Sequence, residues 1–331
     1  MNSDSTPFFD MLTSDLITEI LVRLPRTGTD QALIIKEGGN SIFVLHLDSC
    51  VIGGPLGDIF FVSRLETGGC CNGIVCLWHA QFFYNNKSPY TYLWNPATKQ
   101  AKLVPDIPPR NIKFNNIIAF IEGFGFDPVD DEYKVVALMK NYLGQTWIAE
   151  VYSANANVWR RVEPNPQDLP SDGGFDVCVN GFLCCVGLHC MGMLAFDLNK
   201  EVFICGIKLP NGYSPIRITD FNDSIAVTAS KECMMDNVVN LWKLDDEACL
   251  RDSRVEASWT LMLSIDVGHP VKCVSGYFNS GDLLLRTDED DDWILFNSDK
   301  KEARNVPVSF DDRRTLKYNE SLVSITRFER T

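Results

Sequence analysis

The chain has 331 residues, 45% hydrophobic, 22% charged and 11% aromatic, a composition that can bury a sizeable core and excludes disorder over most of its length. Acidic residues outnumber basic ones, 44 to 30, for a formal charge of −14. That field repels a phosphate backbone, so nucleic acid is not an expected partner.

Residues 1–11 lack both a basic start and an apolar run, and are expected to be a disordered lead-in without a signal peptide. No stretch reaches the roughly 18 apolar residues of a membrane span, so no membrane partner is expected either. The twelve cysteines, without a secretion signal, point to a reducing compartment: the cytoplasm, with the nucleus as a second possibility. Their spacing is not that of a metal site. Cys70–Cys71 and Cys184–Cys185 are adjacent, so on a strand the two thiols of each pair point to opposite faces. The nearest approach to a cluster, Cys184, Cys185, His189 and Cys190, reads as buried thiols rather than zinc ligands. No metal or cofactor is expected.

The first element is a helix over residues 12–25. Leu12, Leu16, Ile17, Ile20, Leu21 and Leu24 recur at three-to-four spacing, and Pro25 stops the run. Thr13 or Ser14 can cap its start, and Asp15 suits the positive end of the helix dipole. Three turns are marginal alone, so this helix needs a surface to pack on.

From Ala32 onward the pattern is that of short strands. Ala32–Ile35, Ile42–Leu47, Ile74–Leu77, Thr91–Trp94, Tyr133–Leu138 and Trp147–Tyr152 are the first of them, punctuated by Asn72-Gly73, Asn95-Pro96, Asp127-Pro128 and Asn180-Gly181. A four-strand unit then repeats. First-to-second-strand turns fall near Asn72, Asp127, Asn180, Asn222, Asn279 and Asn319, a spacing expected of propeller blades. The predicted fold is all-β: a kelch-like β-propeller of about six four-stranded blades behind one short helix. Tyr318–Ile325 reads as a first-to-second-strand turn, and Ala32–Leu47 as third and fourth strands. The two ends together are expected to complete one blade and leave no open sheet edge.

These phrases resemble a known family. Leu12–Pro25 is similar to the opening of an F-box. Cys71-Asn-Gly-Ile-Val-Cys-Leu, Leu93-Trp-Asn-Pro-Ala-Thr, Gly123-Phe-Gly-Phe-Asp-Pro, Asp131-Glu-Tyr-Lys-Val-Val, Glu150-Val-Tyr-Ser and Asn157-Val-Trp-Arg resemble the F-box-associated domain of plant proteins. The ending Glu320-Ser-Leu-Val-Ser-Ile is similar to the S-locus F-box branch. The resemblance implies a partial F-box at 12–25 and an associated propeller at 32–326. It implies a substrate-recognition subunit of a Skp–cullin–F-box ubiquitin ligase, with a Skp-type adaptor and a protein target as partners. Leu12, Leu16, Ile17, Ile20, Leu21, Leu24 and Pro25 would then face the adaptor. The chain departs from the family in one respect: strand-like sequence begins by Ala32, so the further F-box helices are missing. A free-standing propeller scaffold is therefore the alternative reading.

Catalytic patterns are weak. The four histidines, His46, His79, His189 and His269, have no fixed spacing, and neither a Gly-x-Ser-x-Gly elbow nor a Walker loop occurs. Gly123-Phe-Gly125 reads as an inner strand where blades approach closely, not as a dinucleotide fingerprint. Asp176 and Asp220, near inner strands, are candidate acids for a propeller glycoside hydrolase, the least favoured reading. Trp94, Trp159, Trp242, Trp259 and Trp293 read as outer-strand packing residues. The chain is not expected to be an enzyme.

Recognition is expected on one face of the ring. First-to-second turns are tight, whereas the second-to-third connections are long and irregular, and variable loops on a rigid scaffold commonly carry binding. The candidates there are Phe82, Phe83, Tyr84, Tyr90, Tyr142 and Met234, with Asp290 and Asp291 of the acidic run Asp288–Asp292. Aromatic residues anchor interfaces, and the acidic run would favour a basic patch on the target.

Overall fold

The computed structural model describes residues 31–35, 42–46, 51–52, 65–79, 88–98, 100–109, 113–141, 147–163, 174–187, 192–231, 237–278, 281–287, 293–306, 315–319 and 321–325. The predicted helix over 12–25 and the lead-in 1–11 lie outside these residues. The fold is an all-β propeller, as the strand pattern predicts.

The described strands form six four-stranded antiparallel sheets. Five are contiguous in sequence. The first blade comprises β4 (Leu65–Cys71), β5 (Ile74–His79), β6 (Tyr90–Asn95) and β7 (Gln100–Leu103). The second comprises β8 (Ile117–Asp127), β9 (Glu132–Asn141), β10 (Trp147–Ser153) and β11 (Val158–Val162). The third comprises β12 (Val177–Val179), β13 (Phe182–Val186), β14 (Met193–Asp197) and β15 (Val202–Ile207). The fourth comprises β16 (Ser214–Phe221), β17 (Ser224–Ser230), β18 (Val238–Leu244) and β19 (Trp259–Asp266). The fifth comprises β20 (Val271–Tyr277), β21 (Asp282–Thr287), β22 (Trp293–Asn297) and β23 (Glu302–Val306).

The sixth sheet closes the ring from both ends of the chain. β24 (Thr315–Tyr318) pairs antiparallel with β1 (Gln31–Ile35), which pairs with β2 (Ile42–His46) and then β3 (Val51–Ile52). Closure is as expected, but its register corrects the sequence reading. Residues 31–46 supply the second and third strands of that blade, not the third and fourth. Tyr318 ends the first strand, as the turn reading implies, but residues 321–325 join no sheet and do not begin a second strand. The apolar alternation of Leu322, Val323 and Ile325 imitates a strand, but the chain there is held by side chains of another blade.

The inner strands β24, β4, β8, β12, β16 and β20 neighbour one another around a central channel. Small residues let them approach. A Cβ on Gly123 would stand 2.4 Å from Phe175, and one on Gly125 2.3 Å from the Cys178 sulfur. The glycines of that phrase are thus inter-blade contacts, as expected. Between blades the core is rich in aromatic side chains. Trp94, Trp293, Tyr92, Tyr152, Phe124 and Phe196 are all buried to below 2% exposure. Burying one such side chain contributes roughly 1.5–3 kcal/mol.

Turns repeat with the blades. Asn95, Asp197 and Asn297 each end a third strand, and each Oδ1 accepts backbone N–H bonds from the turn that follows. Asn72, Asn180 and Asn222 take positive φ in the first-to-second turns, where a short polar side chain tolerates the left-handed region. The long turn after β18 holds a one-turn helix, α1 (Ala248–Arg251). It buries Cys249 and Leu250 and rests against β15.

Candidate recognition site

Antiparallel order sorts the connections onto two faces. The first-to-second and third-to-fourth turns lie on one face, here the turn face. The second-to-third connections and the links between blades lie on the other, the loop face. The strand ends bounding the second-to-third connections are His79 and Tyr90, Asn141 and Trp147, Val186 and Met193, Ser230 and Val238, Thr287 and Trp293, and, in the closing blade, Ile35 and Ile42.

Of the expected target-binding residues, only Tyr90 is described. It opens β6, is half-buried, and pairs with His79. Phe82, Phe83, Tyr84, Tyr142, Met234, Asp290 and Asp291 lie outside the described residues, on the connections that β5–β6, β9–β10, β17–β18 and β21–β22 bound. The expected adaptor-facing residues Leu12, Leu16, Ile17, Ile20, Leu21, Leu24 and Pro25 lie outside them as well.

The floor beneath the first of these connections is described. Trp78, 6% exposed, packs on Phe120 of the next blade at 4.8 Å between ring centroids. Across the ring, Tyr213 packs edge-on against Trp242 at 5.1 Å. Lys140 lies 5.8 Å from the Trp147 ring centroid, bracketing the β9–β10 connection.

Two inter-blade links are pinned by indoles. Trp159 Nε1 donates to the Pro105 carbonyl at 2.7 Å, and Trp259 Nε1 to the Lys208 carbonyl at 2.8 Å. Each tryptophan sits on the outermost strand of a blade and holds the link that enters that blade. Trp94, Trp242 and Trp293 lie on third strands, not outermost ones, which corrects the expectation for them. Trp159 is 3% exposed, and its buried indole N–H needs such a carbonyl partner, whereas Trp259 is half-buried.

The channel holds a cavity of about 510 Å³ lined by residues of all six inner strands. Two of its acids are paired with cations. Asp176 Oδ1 lies 3.5 Å from Arg217 Nε, and its Oδ2 accepts the Ile218 N–H at 3.1 Å. Asp220 Oδ2 accepts from Lys317 Nζ at 2.7 Å, and its Oδ1 from the Asp223 N–H. Each carboxylate braces neighbouring chain segments, so neither is placed as a free acid–base group. Among the described residues, no group of three or more His, Cys, Asp or Glu could hold a metal ion.

Sequence reading missed a buried acid at the junction of the first two blades. Glu122, 2% exposed, accepts from the Thr91 hydroxyl at 2.6 Å and faces the Cys76 thiol at 3.7 Å. Burial pushes its pKa up to about 8, against the lowering effect of those two hydrogen bonds. Burial lifts Cys70 to about 12 and raises Cys76 and Cys184 well above the usual thiol value. Nothing in the spacing of Glu122 announced its burial; only an acid in the middle of a strand that is apolar up to its terminal Asp127 hinted at it.

The ring gathers its second-to-third connections and its inter-blade links on one face, and the channel acids Asp176 and Asp220 are paired with Arg217 and Lys317. The profile of the F-box associated beta propeller domain family matches residues 63–322. The chain belongs to that family. An F-box protein of Arabidopsis thaliana is 26% identical over 228 residues, covering 61% of this chain and 51% of its own length. An F-box/kelch-repeat protein of the same plant is 29% identical over 104 residues, covering 31% and 26% respectively. The chain spans about half the length, or less, of these curated relatives. Among solved structures, TolB from Acinetobacter baumannii aligns at 10% identity and a TM-score of 0.49, over 92% of this chain and 69% of that one, a likeness too low to speak of function.

Proposed function

We propose that this chain is the substrate-recognition subunit of a Skp–cullin–F-box ubiquitin ligase and captures a target protein on the loop face of its ring. The observation that carries this reading is family membership over most of the chain, joined to a topology that gathers every second-to-third connection on one face. The relatives named as F-box proteins support it. In this reading the chain binds and positions, and other subunits transfer ubiquitin, so it is not itself an enzyme. We place it in the cytoplasm, with the nucleus as a further site.

A free-standing scaffold is the second reading. It is favoured by the F-box likeness stopping at Pro25, with strand β1 starting at Gln31. One short helix buries less than the roughly 1,000 Å² of a specific interface. Stoichiometric co-elution of the full chain with a Skp-type adaptor supports the ligase reading, and its failure favours the scaffold. The face is tested separately. Alanine at Phe82–Tyr84 together with asparagine at Asp288–Asp292 should abolish target capture. Arg254→Ala with Glu256→Ala, on the turn face and exposed by 87% and 81% at the side chain, should leave it intact. The reverse pattern overturns the face assignment.

A further inference from the structure

Beyond β24 the chain leaves the closing blade and crosses the turn face of the first. Asn95 Nδ2 donates to two carbonyls there, Ser321 O at 2.9 Å and Val323 O at 2.7 Å. Gln100 Oε1 accepts from the Ser324 hydroxyl and the Ile325 N–H, both at 3.0 Å. Gly73 passes directly beneath. A Cβ at that position would stand 2.5 Å from Ser321 Cβ and 2.7 Å from the Asn319 carbonyl. Ile325 is 1% exposed and joins the apolar cluster of the first two blades, against which Val323 also packs. Leu322 points outward, 82% exposed.

This is not strand pairing. A ladder reads backbone and is nearly blind to sequence, whereas here two amide side chains and an apolar socket hold the segment. Asn95 is fixed for the task, because its Oδ1 is engaged by the N–H groups of Ala97 and Thr98 and its Nδ2 is left pointing at the crossing chain. A Ser321 hydroxyl that accepts the Val323 N–H at 3.2 Å sets the local bend.

We propose that the β6–β7 turn, with Asn95, Gln100 and Gly73, is a peptide-binding site for a Ser-x-Val-x-Ile segment, filled in cis by Ser321–Ile325. The site lies on the turn face, so it is independent of target capture on the loop face. Its occupant follows β24 almost directly, and filling the site therefore also holds the closing strand against the ring.

The test uses the full chain and a fluorescein-labelled peptide of residues 319–325. Ile325→Asp places a charge in the apolar socket and frees the site without altering Asn95 or Gln100. By fluorescence anisotropy, the wild-type chain should take up little peptide, because its own segment competes at high local concentration. The Ile325→Asp chain should bind it saturably and at least about tenfold more tightly, the factor that one net buried hydrogen bond supplies. Adding Asn95→Ala should remove that binding. Equal responses from all three chains overturn the proposal. Hydrogen exchange on the full Gln100→Ala chain decides the matter if Ile325→Asp does not fold. The Ile325 amide should exchange about tenfold faster with the β4–β7 amides unchanged. Joint loss of protection would make the segment an inseparable part of the blade and overturn the proposal.

Discussion

Lys134 Nζ lies 2.9 Å from Asp127 Oδ2, and both side chains are fully buried. The same ammonium donates to the Leu198 carbonyl at 2.7 Å, across the junction to the third blade. Asn199 Nδ2 reaches Asp127 from that side as well. Burial works against both charges. Hydrogen bonding and attraction between the two nevertheless hold Asp127 below its ordinary 3.8 and Lys134 above its ordinary 10.5.

Replacing one partner leaves the other charged and dry. Lys134→Met should destabilise the ring by about 3–5 kcal/mol, read from the urea midpoint. The signs of the two shifts define the pH window. The contribution of Asp127 is present above 3.8 and lost as pH falls through its lowered folded value. That of Lys134 is present below 10.5 and lost as pH rises through its raised one. The variant should therefore show its deficit across the neutral range.

Glu122 acts in the opposite sense. Its folded pKa of about 8 lies above its ordinary 4.5, so the protonated acid favours the fold. That contribution is complete below 4.5 and is lost as pH rises towards 8. Glu122→Gln keeps an oxygen for the Thr91 hydroxyl and carries no charge. Its urea midpoint should be nearly flat over this interval, while that of the wild type falls. Parallel curves for the two proteins would show that Glu122 does not titrate in the fold.

Gly125 tests close approach between blades. An alanine Cβ would meet the Cys178 sulfur at 2.3 Å and Leu198 Cδ1 at 2.8 Å. Gly125→Ala should cost about 1–3 kcal/mol through overpacking. Cys178→Ala in the same chain should recover part of that loss, giving a favourable coupling in a double-mutant cycle.

Closure gives the last stability test. Lys317 pairs with Ala32 in the β24–β1 ladder and reaches Asp220 across the channel. Lys317→Pro places a proline inside the closing strand and removes the ion pair. It should cost at least about 2 kcal/mol and make the chain prone to associate through the freed edge of β1. Urea titration and size-exclusion chromatography read the two effects separately.

Much of this ring is legible in the residues alone. Alternating apolar runs between Asn-Gly, Asn-Pro and Asp-Pro turns identify the strands, because side-chain period and turn dihedrals are local properties. Their recurrence gives the propeller, and Gly123 and Gly125 mark where strands crowd. Which strand of the closing blade each end supplies was not legible. Tyr318–Ile325 carries the apolar alternation of a strand, yet only Thr315–Tyr318 finds a partner strand, in β1. Asn95 reads as a turn residue from sequence, and it is one. That its other amide atom holds residues 321 and 323 depends on a contact more than two hundred positions away. The same holds for Glu122, Lys134 and Asp176: a charge is visible in the sequence, but its burial and its partner are set by which blades meet. Local sequence thus determined the strands, the turns and the repeat. Tertiary packing alone decided the register of closure and the pairing of the buried charges, because both rest on contacts between segments that sequence spacing does not relate.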